Sequence, residues 1–225
     1  MYDGSERMKL PRRGQVTLEF LFIFSLLTIL LLYSINATTF RQGSPSVENL
    51  RMQVAVEEKG LASAISNTIS QVYAQGPGSK ATSYVSLVYL RNEDYLKKAW
   101  GISDPKIFIT YGALSGASSA NGTYVIVVNG SGITDAVLSG GNKNVFLSPS
   151  LFQKDLVSNS SVWNPDSSVT LNITGSSYSY HGLTIDPAAL PSSLRIVVEW
   201  NPDNPDSWTY DSAKGELRIN INVGG

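Results

Sequence analysis

From position 20 to position 40 the chain carries no Asp, Glu, Lys or Arg, and Phe, Leu and Ile fill most of the run. At the rise of an α-helix such a segment is roughly 30 Å long and apolar on every side. It cannot stand in water. It needs a bilayer, whose hydrocarbon core it matches in length, or other helices to cover it. Glu19 sits directly before the run, where an unpaired carboxylate is costly.

The flanks suggest an orientation. Arg7, Lys9, Arg12 and Arg13 precede the run, whereas Arg41 opens a dilute, mixed charge pattern beyond it. The excess of basic residues predicts a cytoplasmic N-terminus and an exported remainder. A conventional signal peptide ends in small residues at its cleavage site, and Ile35-Asn36-Ala37-Thr38-Thr39 is a poor version of that. A plain signal anchor and cleavage on the N-terminal side of the run remain the two stronger readings.

Composition excludes several functions. A net charge of -1 over 225 residues, with 16% charged, gives no basic stripe for phosphate backbones, so no nucleic-acid partner is expected. The absence of cysteine removes disulfides, thiolate metal sites and cysteine nucleophiles. His181 is the only histidine, so a His-pair metal motif is impossible and any Ser-His-Asp triad would depend on it. Its setting in Ser177-Tyr178-Ser179-Tyr180-His181-Gly182 reads as surface or turn.

Gly112-Ala113-Leu114-Ser115-Gly116 places its serine one position late for a nucleophile elbow. Gly130-Ser131-Gly132, Ser139-Gly140-Gly141 and Gly76-Pro77-Gly78-Ser79-Lys80 lack the spacing of nucleotide-binding loops. A non-enzymatic chain without a cofactor or bound metal is therefore expected. Tyr178 and Tyr180 are candidate sugar-stacking residues, though such alternation also marks a half-exposed strand. Trp163-Asn164-Pro165-Asp166 recurs as Trp200-Asn201-Pro202-Asp203, which reads as turn chemistry after strand ends in preference to a calcium loop. Asn-x-Ser/Thr sequons at Asn36, Asn121, Asn129, Asn159 and Asn172 are candidate N-glycosylation sites and weak support for an extracytoplasmic domain.

Beyond the run, Arg41-Gln42-Gly43-Ser44-Pro45 is a breaker cluster that should kink or interrupt the helix. Leu50, Val54, Leu61, Ile65, Ile69 and Val72 then recur at mostly three- and four-residue intervals, with Glu48, Glu57, Glu58 and Lys59 placed off that stripe. This predicts an amphipathic helix from about 46 to 74, softened at Gly60 and stopped by the Gly-Pro-Gly that follows Gln75. Strands are predicted at 83–91, 106–112, 123–129, 133–138, 145–147, 169–174, 194–200, 208–210 and 216–223, with a short helix or turn over 92–100. The fold class expected is α+β: a long kinked N-terminal helix, then an antiparallel β-sandwich or Greek-key-like head.

The stretch Arg13-Gly14-Gln15-Val16-Thr17-Leu18-Glu19-Phe20 resembles the processing motif of archaeal type IV pilin-like proteins with class III signal peptides. In that family a basic residue and Gly precede the cut, and Gln-x-Ser-x-Glu-Phe and an apolar helix follow it. Thr17 stands for the usual Ser and Arg13 for the more frequent Lys. The resemblance covers residues 12 to about 40, and more loosely as far as 79.

It implies a cleaved cytoplasmic prepeptide over 1–14, with Arg12, Arg13, Gly14, Gln15, Thr17 and Glu19 recognised by a class III prepilin peptidase. Residues 15–75 would be the helix that spans the membrane before assembly and forms the filament core afterwards. Residues 76–225 would be an extracellular head serving adhesion, with surface glycans as candidate ligands. The homo-oligomeric filament would take its axial register from the new ammonium at Gln15 against Glu19. The competing expectation is a non-polymerising, membrane-anchored surface binding protein with a β-sandwich ectodomain.

Overall fold

The computed structural model describes residues 12–39, 45–116, 120–130 and 132–223, with backbone alone at 12–18 and 36–39. Two compact units divide between Ser46 and Val47. In the first, α1 (Arg12–Thr39) is one uninterrupted helix. Ser25 Oγ and Thr28 Oγ1 donate to the carbonyls of Leu21 and Phe24, both at 2.8 Å. These two hydroxyls are thereby satisfied within the helix and ask nothing of a neighbour.

Helix α2 (Pro45–Gln75), which lies in the second unit from Val47 onward, has Pro at its first position and Glu48 in its first turn, as a helix start favours. It stops where Gly76 takes φ +90°, its amide donating to Val72 O at 3.2 Å. Val47, Val54, Glu58, Leu61, Ile65, Ile69 and Val72 form the buried stripe. The helix passes through Gly60 unbroken. Among the described residues a β-carbon there would meet nothing within 4 Å.

Sheet A has the order β1-β9-β11-β10-β6, built from β1 (Lys80–Ser86), β6 (Trp163–Asn164), β9 (Ser193–Glu199), β10 (Ser207–Asp211) and β11 (Glu216–Asn220). Sheet B has the order β4-β7-β8-β2-β3-β5, built from β2 (Pro105–Gly112), β3 (Gly122–Asn129), β4 (Thr134–Asp135), β5 (Val145–Pro149), β7 (Ser167–Ile173) and β8 (Ser176–Ile185). The main core lies among α2, sheet A and one face of sheet B, with Ile65, Ile109, Val125, Leu183, Ile196 and Trp208 in it. A second core of Phe108, Tyr124, Ile126, Val128, Leu171 and Tyr180 fills the other face of sheet B. Burial on both faces is why β2 and β3 read as nearly continuous apolar runs.

Sheet B curls around this second core, and Asn144 fastens the seam. Its carbonyl accepts from Val127 N on β3, while its side chain donates to Asp135 O on β4 at 3.0 Å and accepts from Val137 N at 2.8 Å. One buried amide thus joins the two ends of the strand order. Helix α3 (Glu93–Trp100) is capped by Asn92, whose side chain accepts from Tyr95 N, and by Gly101 at φ +69°.

The expected fold class is corrected in two respects. The helical part is not one long kinked helix: α1 and α2 are separate elements, and the breaker residues 41–44 lie outside the described residues. The β part is not an antiparallel sandwich, because β9 with β11, β6 with β10 and β4 with β7 run parallel. Side-chain alternation tells which face of a strand is buried but carries no information on its neighbour's direction.

Gly182 shows how closely these layers approach. A β-carbon there would lie 2.4 Å from Ile109 O and 2.7 Å from the Phe108 ring. Gly182→Ala is expected to cost about 3 kcal/mol by overpacking, whereas Gly60→Ala should add up to about 1 kcal/mol by removing backbone entropy from the unfolded helix. Urea unfolding of the two variants beside the parent checks both signs.

Candidate functional site

Along α1, thirteen large apolar side chains between Phe20 and Ile35 are each 49–75% exposed. They include the consecutive positions 20–24 and 29–33, so they face every direction around the helix. Phe20 and Phe24 stack one turn apart with ring centroids 6.5 Å apart. Glu19 is exposed at the head of this surface. A helix with no polar face has no water-facing orientation to choose.

Of the expected processing residues, Arg12, Arg13, Gly14, Gln15 and Thr17 all fall in helical backbone, and their side chains lie outside the described residues. The Gly14-Gln15 bond is within the first turn of α1. A peptidase that takes an extended substrate must unwind that turn, which is inexpensive at a helix end. The remaining prepeptide, with Arg7 and Lys9, lies outside the described residues.

Among the described residues no helix is long and apolar enough to cross a membrane. The side chains described in α1 run over 19–35 and open on a carboxylate, whereas a spanning helix needs about 20 predominantly apolar residues. The expected transmembrane segment is corrected accordingly. So is the membrane and cell-surface placement that rested on it.

The sequons differ in their surroundings. Asn159 is exposed, and its side-chain carbonyl accepts from Ser161 N at 3.1 Å and Ser161 Oγ at 2.8 Å. Asn172 is half-buried and its amide nitrogen donates to Asp135 at 2.8 Å, which ties up the atom a glycan would be attached to. Asn121 and Asn129 are half-buried at the two ends of β3. The side chain of Asn36, and Ser131 of the Asn129 sequon, lie outside the described residues.

His181 meets Asp166, with Nδ1 3.1 Å from both carboxylate oxygens. No serine or threonine hydroxyl bonds to its ring among the described residues, so the pair has no nucleophile to activate. The two Trp-Asn-Pro-Asp stretches do different structural work. Trp163 is buried against Trp208, with ring centroids 5.1 Å apart, while Trp200 stacks on Tyr73 at 5.6 Å and Asn201 closes a turn by accepting from Asp203 N. Tyr180 is buried in the second core with Tyr178 packed against it, so this pair offers no open platform to a sugar.

Two carboxylates on α2 have roles the sequence reading missed. Glu57 accepts from three successive amides, Val88 N, Tyr89 N and Leu90 N, at 2.7–2.9 Å, and so fixes the chain between β1 and α3. Glu58 is completely buried, and neither carboxyl oxygen has a hydrogen-bond partner among the described residues. Burial holds its pKa well above the usual carboxylate range, against smaller opposing pulls from the Val127 amide and Lys143. Its position was readable: 54, 58, 61 and 65 follow one another at intervals of four, three and four along the apolar stripe.

A cavity of about 310 Å³ opens beside Trp100 and Arg51. Arg51 Nε donates to Ala99 O at 2.5 Å, completing the C-terminus of α3, and its guanidinium also holds Glu48 and Asn142. Nothing in the sequence pattern marks this convergence, because its walls come from α2, α3, β3, β4 and the connection after β4. Compared with protein-family models, curated proteins and solved structures, the chain finds no match in any of the three.

Proposed function

We propose that the chain is a structural subunit of a type IV pilus-like filament, held together by α1 of each copy packing against α1 of others. The observation that carries this reading is the apolar surface of α1, exposed on all sides over thirteen large side chains. Fully burying each one contributes about 1.5–3 kcal/mol. Helices of this kind cover one another well, and nothing on α1 between Phe20 and Ile35 requires a charged partner.

The motif around Gly14-Gln15 supports the same reading through its resemblance to pilin processing sites. Cleavage there would place a new α-ammonium at Gln15, one helical turn from Glu19. An ammonium matched to a neighbour's carboxylate in an apolar core sets register, because a mismatched stack would bury both charges unpaired. Mass spectrometry of the N-terminus and electron microscopy of purified assemblies test the reading together. The expected result is a chain beginning at Gln15 in filaments, with Glu19→Ala processed but unassembled. Monomers that retain Met1 would end it.

A further inference from the structure

We propose that the cavity beside Trp100 is a binding site for a neutral sugar ring. At about 310 Å³ it falls at the lower end of small-molecule sites. Trp100 lines it, held in place by the left-handed Gly101 cap that ends α3. The indole Nε1–H is buried away from the cavity's solvent and finds no hydrogen-bond partner among the described residues, so the ring meets a ligand through its carbon surface. Around it stand Arg51, Asn129, Asp135 and Asn142, whose planar polar groups suit adjacent hydroxyls, and Ile133, 61% exposed at the rim, offers an apolar edge.

The charges argue for a neutral ligand. Arg51 is already paired with Glu48 at 2.7 Å, and Asp135 accepts from the Asn172 amide. An anion would face Asp135 with the nearby cation already neutralised. A pyranose instead presents a C–H face to an aromatic ring and hydroxyls that both donate and accept. Its hydroxyls can meet the asparagine and aspartate groups that line the cavity beside the ring. The inference stands independently of how α1 assembles.

The test titrates the full chain, kept in solution with a detergent that has no sugar headgroup, with the methyl glycosides of glucose, galactose, mannose and N-acetylglucosamine. Saturation-transfer NMR is the readout, with each sugar taken to about 50 mM, well into the range of millimolar affinity. At least one sugar should bind. Trp100→Ala should weaken it at least tenfold, Trp100→Phe should weaken it less by keeping an aromatic face, and Trp200→Phe should leave it unchanged. Trp100→Phe preserves the test if the alanine variant does not fold. No binding by any sugar, equal binding by all variants, or displacement by inorganic phosphate would overturn the proposal.

Discussion

Replacing Glu58 by glutamine is expected to stabilise the protein at neutral and alkaline pH and to remove most of the pH dependence of its stability there. The side chain is 0% exposed, and among the described residues both oxygens lack hydrogen-bond partners. Burial raises its pKa in the folded state, so the folded chain retains a proton that the unfolded chain releases above the ordinary carboxylate value. The sign follows from that difference. Stability is fullest at or below the unfolded pKa and falls as pH rises, by about 1.4 kcal/mol per pH unit, until the folded-state pKa is passed.

The Glu58→Gln side chain would keep nearly the same volume and never need the proton. Among the described residues the groups that act on this carboxyl are the Val127 amide, which donates to Asn144 O, and the charge of Lys143. Neither offsets the loss of water. Urea unfolding of the parent and Glu58→Gln from about pH 4.5 to 8.5 should therefore give curves that converge at the acid end and separate towards the alkaline end. Curves that stay parallel across that range would show that Glu58 is hydrated in solution. Glu58→Met, an apolar replacement of similar length, should match or exceed the glutamine variant, since it leaves no buried polar atom unpartnered.

How much of this fold could be read from the sequence depended on whether a feature was local. The period of α2 and its glycine stop were legible because spacing and turn residues are properties of neighbouring residues, whereas α3 was narrowed only to a short helix or turn. β2 and β3 were also close to their observed bounds, since burial on both faces leaves an unbroken β-branched and aromatic run. β8 was not found. Its first half, Ser176 to Ser179, is mostly exposed and Ser-rich, yet its second half pairs with β2 in the middle of sheet B.

Long-range features left no trace in the pattern. The three parallel pairings depend on where the chain returns, which alternation cannot encode. Asn144 looks like any loop asparagine, and only the curl of sheet B brings Asp135 and Val127 within reach of it. The same holds for the cavity: Arg51 and Asn142 are 91 residues apart in the chain and 2.5 Å apart across it. By contrast, Glu58 was locally legible. Its charged neighbours Glu57 and Lys59 drew it into the solvated face, although its spacing from Val54 and Leu61 placed it inward.

A single glutamate in the middle of α1, Leu27→Glu, is expected to abolish assembly while leaving the globular unit intact. Leu27 is 59% exposed and belongs to the first unit, whereas both hydrophobic cores are built from residues of the second. The substitution therefore removes no core contact. In a bundle of α1 helices, however, it would bury a carboxylate with no cation between Phe20 and Ile35 on any copy to meet it. Removing one partner of a buried ion pair costs about 3–5 kcal/mol, and this carboxylate would lack a partner from the start. The deficit recurs at every subunit, so it multiplies along a filament. Leu27→Ile, which keeps the apolar area, should assemble as the parent does. Sedimentation velocity with negative-stain microscopy reads the assembly, and unfolding of the second unit, followed by the fluorescence of buried Trp163 and Trp208, reads its integrity. Filaments from Leu27→Glu would show that α1 does not form the contact between subunits, and the proposed function would fall with it.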